Sequence, residues 1–189
     1  MNIGVDMDEV LAELMDQLIG FYNRRTNGKF RKVDFETYKL SETWGISRKE
    51  AVGVVEDFFK SDDFRSIRPV EGAPEACRQL KERGHRLTVI SSRPRSLEKE
   101  TREWLERYFP EIFSEVILTD ECGAKRGRKA RVCANLSIDY LIEDGAHYAE
   151  ECLSEKTRVI LLEKPWNMDF ENRDVLRARD WDEIVGMIG

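Results

Sequence analysis

Two carboxylates one residue apart, Asp6 and Asp8, close the first apolar run of the chain, Ile3-Gly4-Val5-Asp6-Met7-Asp8-Glu9-Val10-Leu11. On a strand such residues start on the same side, and they converge as the strand opens into a loop. Convergent carboxylates hold a hard cation, or divide nucleophilic and acid/base work between them. Other points along the chain carry groups suited to the same chemistry. Val89-Ile90-Ser91-Ser92-Arg93-Pro94 ends a second apolar run with two hydroxyls and a guanidinium, donors that an oxyanion or a phosphate accepts. Arg93 either contacts a substrate or the inserted segment, or pairs with Glu98. Leu141-Ile142-Glu143-Asp144-Gly145 ends another run with two acids, of which strand alternation turns only one toward a shared site. Lys125, Arg126, Arg128, Lys129 and Arg131 crowd into seven residues after Gly123, either as a solvated face or as the source of one lysine for an anionic substrate. Acids gathered near Asp6 without a partner repel one another. A Mg²⁺ held by Asp6, Asp144, a backbone carbonyl and waters removes that conflict.

Groups so far apart in sequence meet only if the fold gathers strand ends. Five runs read as strands: Asn2–Asp6, Arg86–Ser91, Glu115–Thr119, Tyr140–Glu143 and Arg158–Leu162. Val116-Ile117-Leu118 and Val159-Ile160-Leu161-Leu162 are continuous rather than alternating, as in strands buried on both faces. Helical spacing predicts helices over Ala73–Arg83, stopped by Gly84, over Ser96–Phe109, ended by Pro110, over residues 129–136 and 146–154, and over Trp181–Ile188. The alternation predicts an α/β fold: a Rossmann-like parallel five-stranded sheet flanked by helices, with its chemistry beyond the carboxyl ends of the strands.

The gap between the first two strands is too long for one crossover. Val10–Asn23 reads as a helix with an apolar stripe of Leu11, Leu14, Met15, Leu18, Ile19 and Tyr22. An irregular aromatic stretch follows from Phe30 to Trp44, then a helix over Ser47–Lys60, capped by Ser47 with Glu50 three residues on. The expected organisation is a core of residues 1–14 and 72–189, with a small helical cap, residues 15–71, inserted after the first strand. The aromatics of the cap either line a pocket over Asp6 and Asp8 or form the insertion's own core.

The chain has 189 residues, 41% hydrophobic and 36% charged, as in a globular protein with one well-buried core and a modest insertion. Its formal charge of −6 argues against a binder of nucleic-acid polymers, whose phosphates demand a basic surface. No apolar run approaches the roughly 18 residues of a membrane span. No basic-then-apolar leader precedes Asp6, so a cytoplasmic location is expected. Cys77, Cys122, Cys133 and Cys152 form no C-x-x-C pair, and His85 and His147 are the only histidines, so structural zinc is not expected.

Asp6-x-Asp8-x-Val10, Ser91, Lys129 and Glu143-Asp144 resemble the four ordered motifs of the haloacid dehalogenase superfamily of phosphohydrolases. Within it, Val5-Asp6-Met7-Asp8-Glu9-Val10-Leu11-Ala12, Ser92-Arg93-Pro94, Thr101-x-x-Trp104-Leu105, Ile142-Glu143-Asp144 and Lys164-Pro165-Trp166-Asn167 are similar to the cytosolic-type 5′(3′)-deoxyribonucleotidases and their prokaryotic relatives. The resemblance implies a Mg²⁺-dependent phosphomonoesterase acting on a small phosphorylated substrate, a nucleoside monophosphate first and a sugar phosphate second. It implies Asp6 as nucleophile and Asp8 as acid/base, and Mg²⁺ on Asp6, Asp144 and the Asp8 carbonyl. Phosphoryl oxygens would meet Ser91, Ser92, Lys129, Arg93 and the Met7 N–H, with Lys125 competing for the lysine role. A silent scaffold that kept the fold, and a phosphoacceptor of response-regulator type, are the readings of other classes.

Overall fold

The first apolar run forms β1 (Asn2–Val5), paired on both sides and buried at Ile3 and Val5. The computed structural model describes residues 1–120 and 127–189. From β1 it continues through α1 (Leu14–Thr26), a 3-10 turn at Lys32–Asp34, α2 (Leu40–Trp44), α3 (Arg48–Phe59), α4 (Asp62–Arg65), α5 (Ala73–Glu82) and β2 (Arg86–Ser91). There follow α6 (Glu98–Tyr108), β3 (Glu115–Leu118), α7 (Arg128–Asn135), β4 (Tyr140–Glu143), α8 (Ala146–Cys152), β5 (Arg158–Leu162), β6 (Leu176–Ala178) and α9 (Trp181–Ile188).

The strands form one parallel sheet in the order β3-β2-β1-β4-β5-β6. Among the described residues it has six strands, not the five expected. The sixth, Leu-Arg-Ala, has no apolar run of its own, and its pairing with β5 alone makes it a strand. The continuous apolar runs behave as their pattern requires, sending alternate residues to two cores. Ile90, Leu141, Val159 and Leu161 pack with Cys133 of α7 and Ala149 and Cys152 of α8. Val89, Ile142, Ile160 and Leu162 share the opposite core with Leu80 of α5, Leu105 of α6 and Ile184 of α9. Gly4 lets β1 fit between its neighbours, since a Cβ there would lie 2.9 Å from the Ile90 side chain. Cys77, Cys133 and Cys152 are buried free thiols in these cores; Cys122 lies outside the described residues.

The helix expected from Val10 begins four residues later, at Leu14. Glu9 takes a left-handed backbone (φ 63°), and Leu11 and Ala12 N–H groups turn back to the Met7 carbonyl at 2.9 Å each. Val10 and Leu11 are buried in this loop rather than on a helix. The later helix forms as its signals indicate: Ser47 caps α3 by accepting from Glu50 N–H (3.2 Å), and Glu50 accepts from Ser47 N–H (2.9 Å). Chain entry and exit of the long β1–β2 connection run side by side, with Val70 N–H donating to Leu11 O at 2.8 Å and Glu13 N–H to Arg68 O at 2.9 Å. Within it Tyr22 stacks on Trp44, with centroids 4.1 Å apart, and Phe58 meets Phe21 and Phe64. Trp104 from α6 ties it to the core by donating to Ile67 O at 2.9 Å.

Candidate active site

Parallel pairing places the carboxyl ends of β1, β2 and β4 side by side: Val5 faces Val89 on one flank and Ile142 on the other. The next residues are therefore neighbours, and Asp6 N–H continues the ladder to Ile142 O at 2.9 Å. Among the described residues, Asp6, Glu143 and Asp144 form a buried group in which each offers one carboxylate oxygen within 4.8 Å of the other two. Lys129, from the first turn of α7, reaches into it fully buried, with Nζ 2.7 Å from Asp6 Oδ1 and 2.5 Å from Glu143 Oε2. The Tyr148 ring stands 4.2 Å from the same ammonium.

Both acids at the end of β4, Glu143 and Asp144, belong to this group, whereas alternation along a strand admits one. The strand ends at Glu143, and the backbone then folds around it: Asp144 and Gly145 N–H groups donate to Glu143 Oε1 at 3.1 and 2.9 Å. Asp144 leaves the strand and is held from the far side, where Trp166 Nε1 donates to Oδ2 at 2.8 Å and Asn167 Nδ2 to its carbonyl at 2.8 Å. Its other oxygen, Oδ1, is buried with no hydrogen-bond partner among the described residues.

Among the described residues, Lys129 thus bonds two of these three buried carboxyls, Asp6 and Glu143. Burial and the Glu143 charge push the Asp6 carboxyl up to about 7, against the pull of Lys129. Burial, with Glu143 and Asp6, holds the Asp144 carboxyl well above its usual range. Burial works against the Lys129 charge, but Asp6 and Glu143 outweigh it and keep the ammonium well above the ordinary lysine range. Such a group gathers charge that a proton or a cation must balance. Hard oxygen donors around the orphaned Asp144 Oδ1 fit a small divalent ion such as Mg²⁺.

Asp8 stands at the edge of this cluster, facing Arg93 rather than Lys129. Arg93 Nε lies 3.2 and 3.0 Å from the two Asp8 oxygens, and Nη2 lies 2.6 Å from Oδ1. Glu98 pairs instead with Arg102, at 3.0 Å from Nε. Ser91, at the end of β2, is buried and accepts from Arg93 N–H at 3.2 Å. Ser92 bonds the Tyr148 phenol, which burial pushes up to about 12. Met7 is buried beneath the loop, its carbonyl taken by Leu11 and Ala12. Lys125 lies outside the described residues, so its competition with Lys129 has no structural counterpart.

Beside Asp8 opens a cavity of about 150 Å³, lined on the α1–α3 side by Leu18, Tyr38, Leu40 and Phe59 and on the sheet side by Trp166. Its lining is mostly apolar. Tyr38 crosses from the long connection to the sheet, its ring 5.4 Å from His147 and 6.3 Å from Trp166.

The family model described as 5' nucleotidase, deoxy (pyrimidine), cytosolic type C protein matches residues 1–189. The chain belongs to this family. Its members are phosphoric monoester hydrolases, and the chain is an enzyme of that class. A 5'(3')-deoxyribonucleotidase of Bacillus subtilis is 30% identical over 185 residues, covering 96% of this chain and 95% of that protein. Solved structures of the haloacid dehalogenase superfamily share the fold. A haloacid dehalogenase-like hydrolase from Streptococcus pneumoniae superposes with a TM-score of 0.72 at 10% identity, covering 100% of this chain and 98% of that one. A family hydrolase from Deinococcus radiodurans, with bound phosphate and sodium, gives 0.70 at 14% identity, covering 99% and 94%.

Within this nucleotidase family member, the geometry adds residues whose site contacts residue-by-residue reading did not foresee. Trp166 and Asn167 grip Asp144 from the Pro165-Trp166-Asn167 turn, which the sequence marked only through the family resemblance. Tyr148 offered no signal beyond helix periodicity, and Thr101 stood out only within the Thr101-x-x-Trp104-Leu105 stretch that carried the family resemblance. Their partners, Lys129 and Arg93, come from other elements.

Proposed function

We propose that this enzyme hydrolyses nucleoside monophosphates through a phosphoaspartate on Asp6. The observation that carries the reading is the buried Asp6–Lys129–Glu143–Asp144 cluster, linked through Trp166, the donor to Asp144, to an apolar cavity whose wall includes Trp166 and Asp8. Asp6 attacks phosphorus and the ester P–O bond breaks, with Asp8 giving its proton to the departing oxygen. Water then attacks the phosphoaspartate, Asp8 takes the water proton, and phosphate leaves with Asp6 restored. Lys129, Ser91, Ser92 and the Met7 N–H are the donors toward the phosphoryl oxygens. Mg²⁺, held by Asp6, Asp144 and the Asp8 carbonyl, would supply charge neutralisation for a dianionic substrate.

Residues 15–71 act in this reading as a cap over the carboxyl ends of the strands. The apolar walls and the Tyr38 and Trp166 rings suit the flat base of a nucleotide better than a second sugar unit, whose hydroxyls would find few partners there. The test is phosphate release over nucleoside monophosphates and sugar phosphates, with Mg²⁺ and with EDTA, beside Asp6→Asn. Release from nucleotides that needs the metal and is lost in the variant is expected. Sugar phosphates turned over in preference would replace the substrate assignment, and full activity of Asp6→Asn would end the phosphoaspartate.

A further inference from the structure

Arg93 stands two residues beyond the end of β2, with its side chain 3% exposed. A guanidinium so buried is normally committed to specific partners. Nε and Nη2 fork onto the Asp8 carboxylate, and Nη1 donates to Thr101 Oγ1 of α6 at 3.0 Å. The Phe64 ring of α4 lies 5.1 Å from the guanidinium carbon. Asp8 itself is less enclosed, 22% exposed at the side chain, and borders the cavity. A carboxylate in that position has two free torsions and solvent on one side, and Arg93 is what opposes its rotation.

We propose that Arg93 is the positioning residue for Asp8, a role that rests on the phosphomonoesterase reading above. Arg93 fixes the direction in which the Asp8 carboxylate faces and is itself locked by Thr101 and Phe64. It is then needed in proportion to the proton that Asp8 must deliver. A grip on phosphate is the competing role for such an arginine. In this geometry that grip is available only by giving up Asp8, because the same two nitrogens serve both.

The two roles separate by leaving group. An alkoxide, as in a nucleoside monophosphate or glycerol phosphate, needs a proton to depart, whereas p-nitrophenolate leaves without one. The ratio kcat/KM reports the step in which the ester bond breaks, so later water attack does not enter it. Arg93→Ala is expected to lower kcat/KM at least about 100-fold on nucleoside and alkyl phosphates, the range of a lost general acid. On p-nitrophenyl phosphate it is expected to lose less than about tenfold, with inhibition by inorganic phosphate unchanged. Arg93→Lys, which keeps the charge without the fork, should recover part of the alkyl-ester rate. Melting curves check that the variants fold. If Arg93→Ala does not, Thr101→Val, which removes one anchor of the arginine, should give a smaller loss of the same selective kind. Equal losses on alkyl and aryl esters, or weakened phosphate inhibition with an unchanged ratio, overturn the proposal. If the wild type cleaves alkyl and aryl phosphates but spares nucleotides, the nucleotide reading fails, while the alkyl-to-aryl comparison still decides the role of Arg93. A wild type that cleaves no ester overturns both.

Discussion

Moving from pH 8 to pH 6 should weaken Mg²⁺ binding by about tenfold through Asp6 alone, because proton and metal compete for one carboxylate. The Asp6 carboxyl is raised from 3.8 to about 7 by burial and by Glu143. At pH 8 it is mostly ionised and ready for a cation; at pH 6 most molecules must first release a proton. Asp144, also raised, steepens the trend. The same shift governs the stability of the metal-free fold. Between 3.8 and about 7 the folded protein holds a proton on Asp6 that the unfolded chain has released. Stability is therefore fullest below that window and falls as pH rises through it, by about 4 kcal/mol at 1.36 kcal/mol per pH unit. Bound Mg²⁺ offsets this loss, and at a hundred times its Kd adds about 2.7 kcal/mol. Calorimetric titration at pH 6, 7 and 8, with melting curves in EDTA and in Mg²⁺, measures both effects against Asp6→Asn as control. The reasoning is refuted if wild-type affinity is flat across this range. It is equally refuted if the EDTA melting temperature, relative to Asp6→Asn, rises with pH.

Trp166→Phe removes the indole donor from Asp144 Oδ2 and should weaken Mg²⁺ about 10- to 100-fold with little change in the metal-free melting temperature. Lys32→Met strands the Glu9 carboxylate, 4% exposed and 2.6 Å from Lys32 Nζ. Denaturant unfolding of that variant should lose about 3 kcal/mol, the low end for breaking a buried pair by removing one partner. Ser47→Ala breaks the reciprocal cap of α3 and should cost about 1 kcal/mol in the same measurement, with kcat unaltered.

The sequence was most legible where local pattern and packing agree. The runs ending at Ser91, Glu143 and Leu162 are apolar on both faces because both faces are covered, so strand identity and the parallel sheet follow from composition. The α3 cap was legible for the same reason, since Ser47 and Glu50 satisfy each other within one turn. Where tertiary pairing outweighs pattern, the reading faltered. Leu176–Ala178 is a strand only through β5, and the helix expected at Val10 yields to a left-handed turn at Glu9.

For the site, residue types and order alone determined that carboxylates, hydroxyls and an arginine stand at successive strand ends, because those groups punctuate apolar runs, with a lysine at the start of the helix before β4. Which group faces which was decided only in three dimensions. Lys129 meets Asp6 across 123 residues, Arg93 takes Asp8 across 85, and Trp166 reaches Asp144 from a turn outside the sheet. A one-dimensional pattern records the phase of a side chain on its own element. Partner choice depends on the register between strands and on where each helix docks, and these are set by the packing of the whole chain.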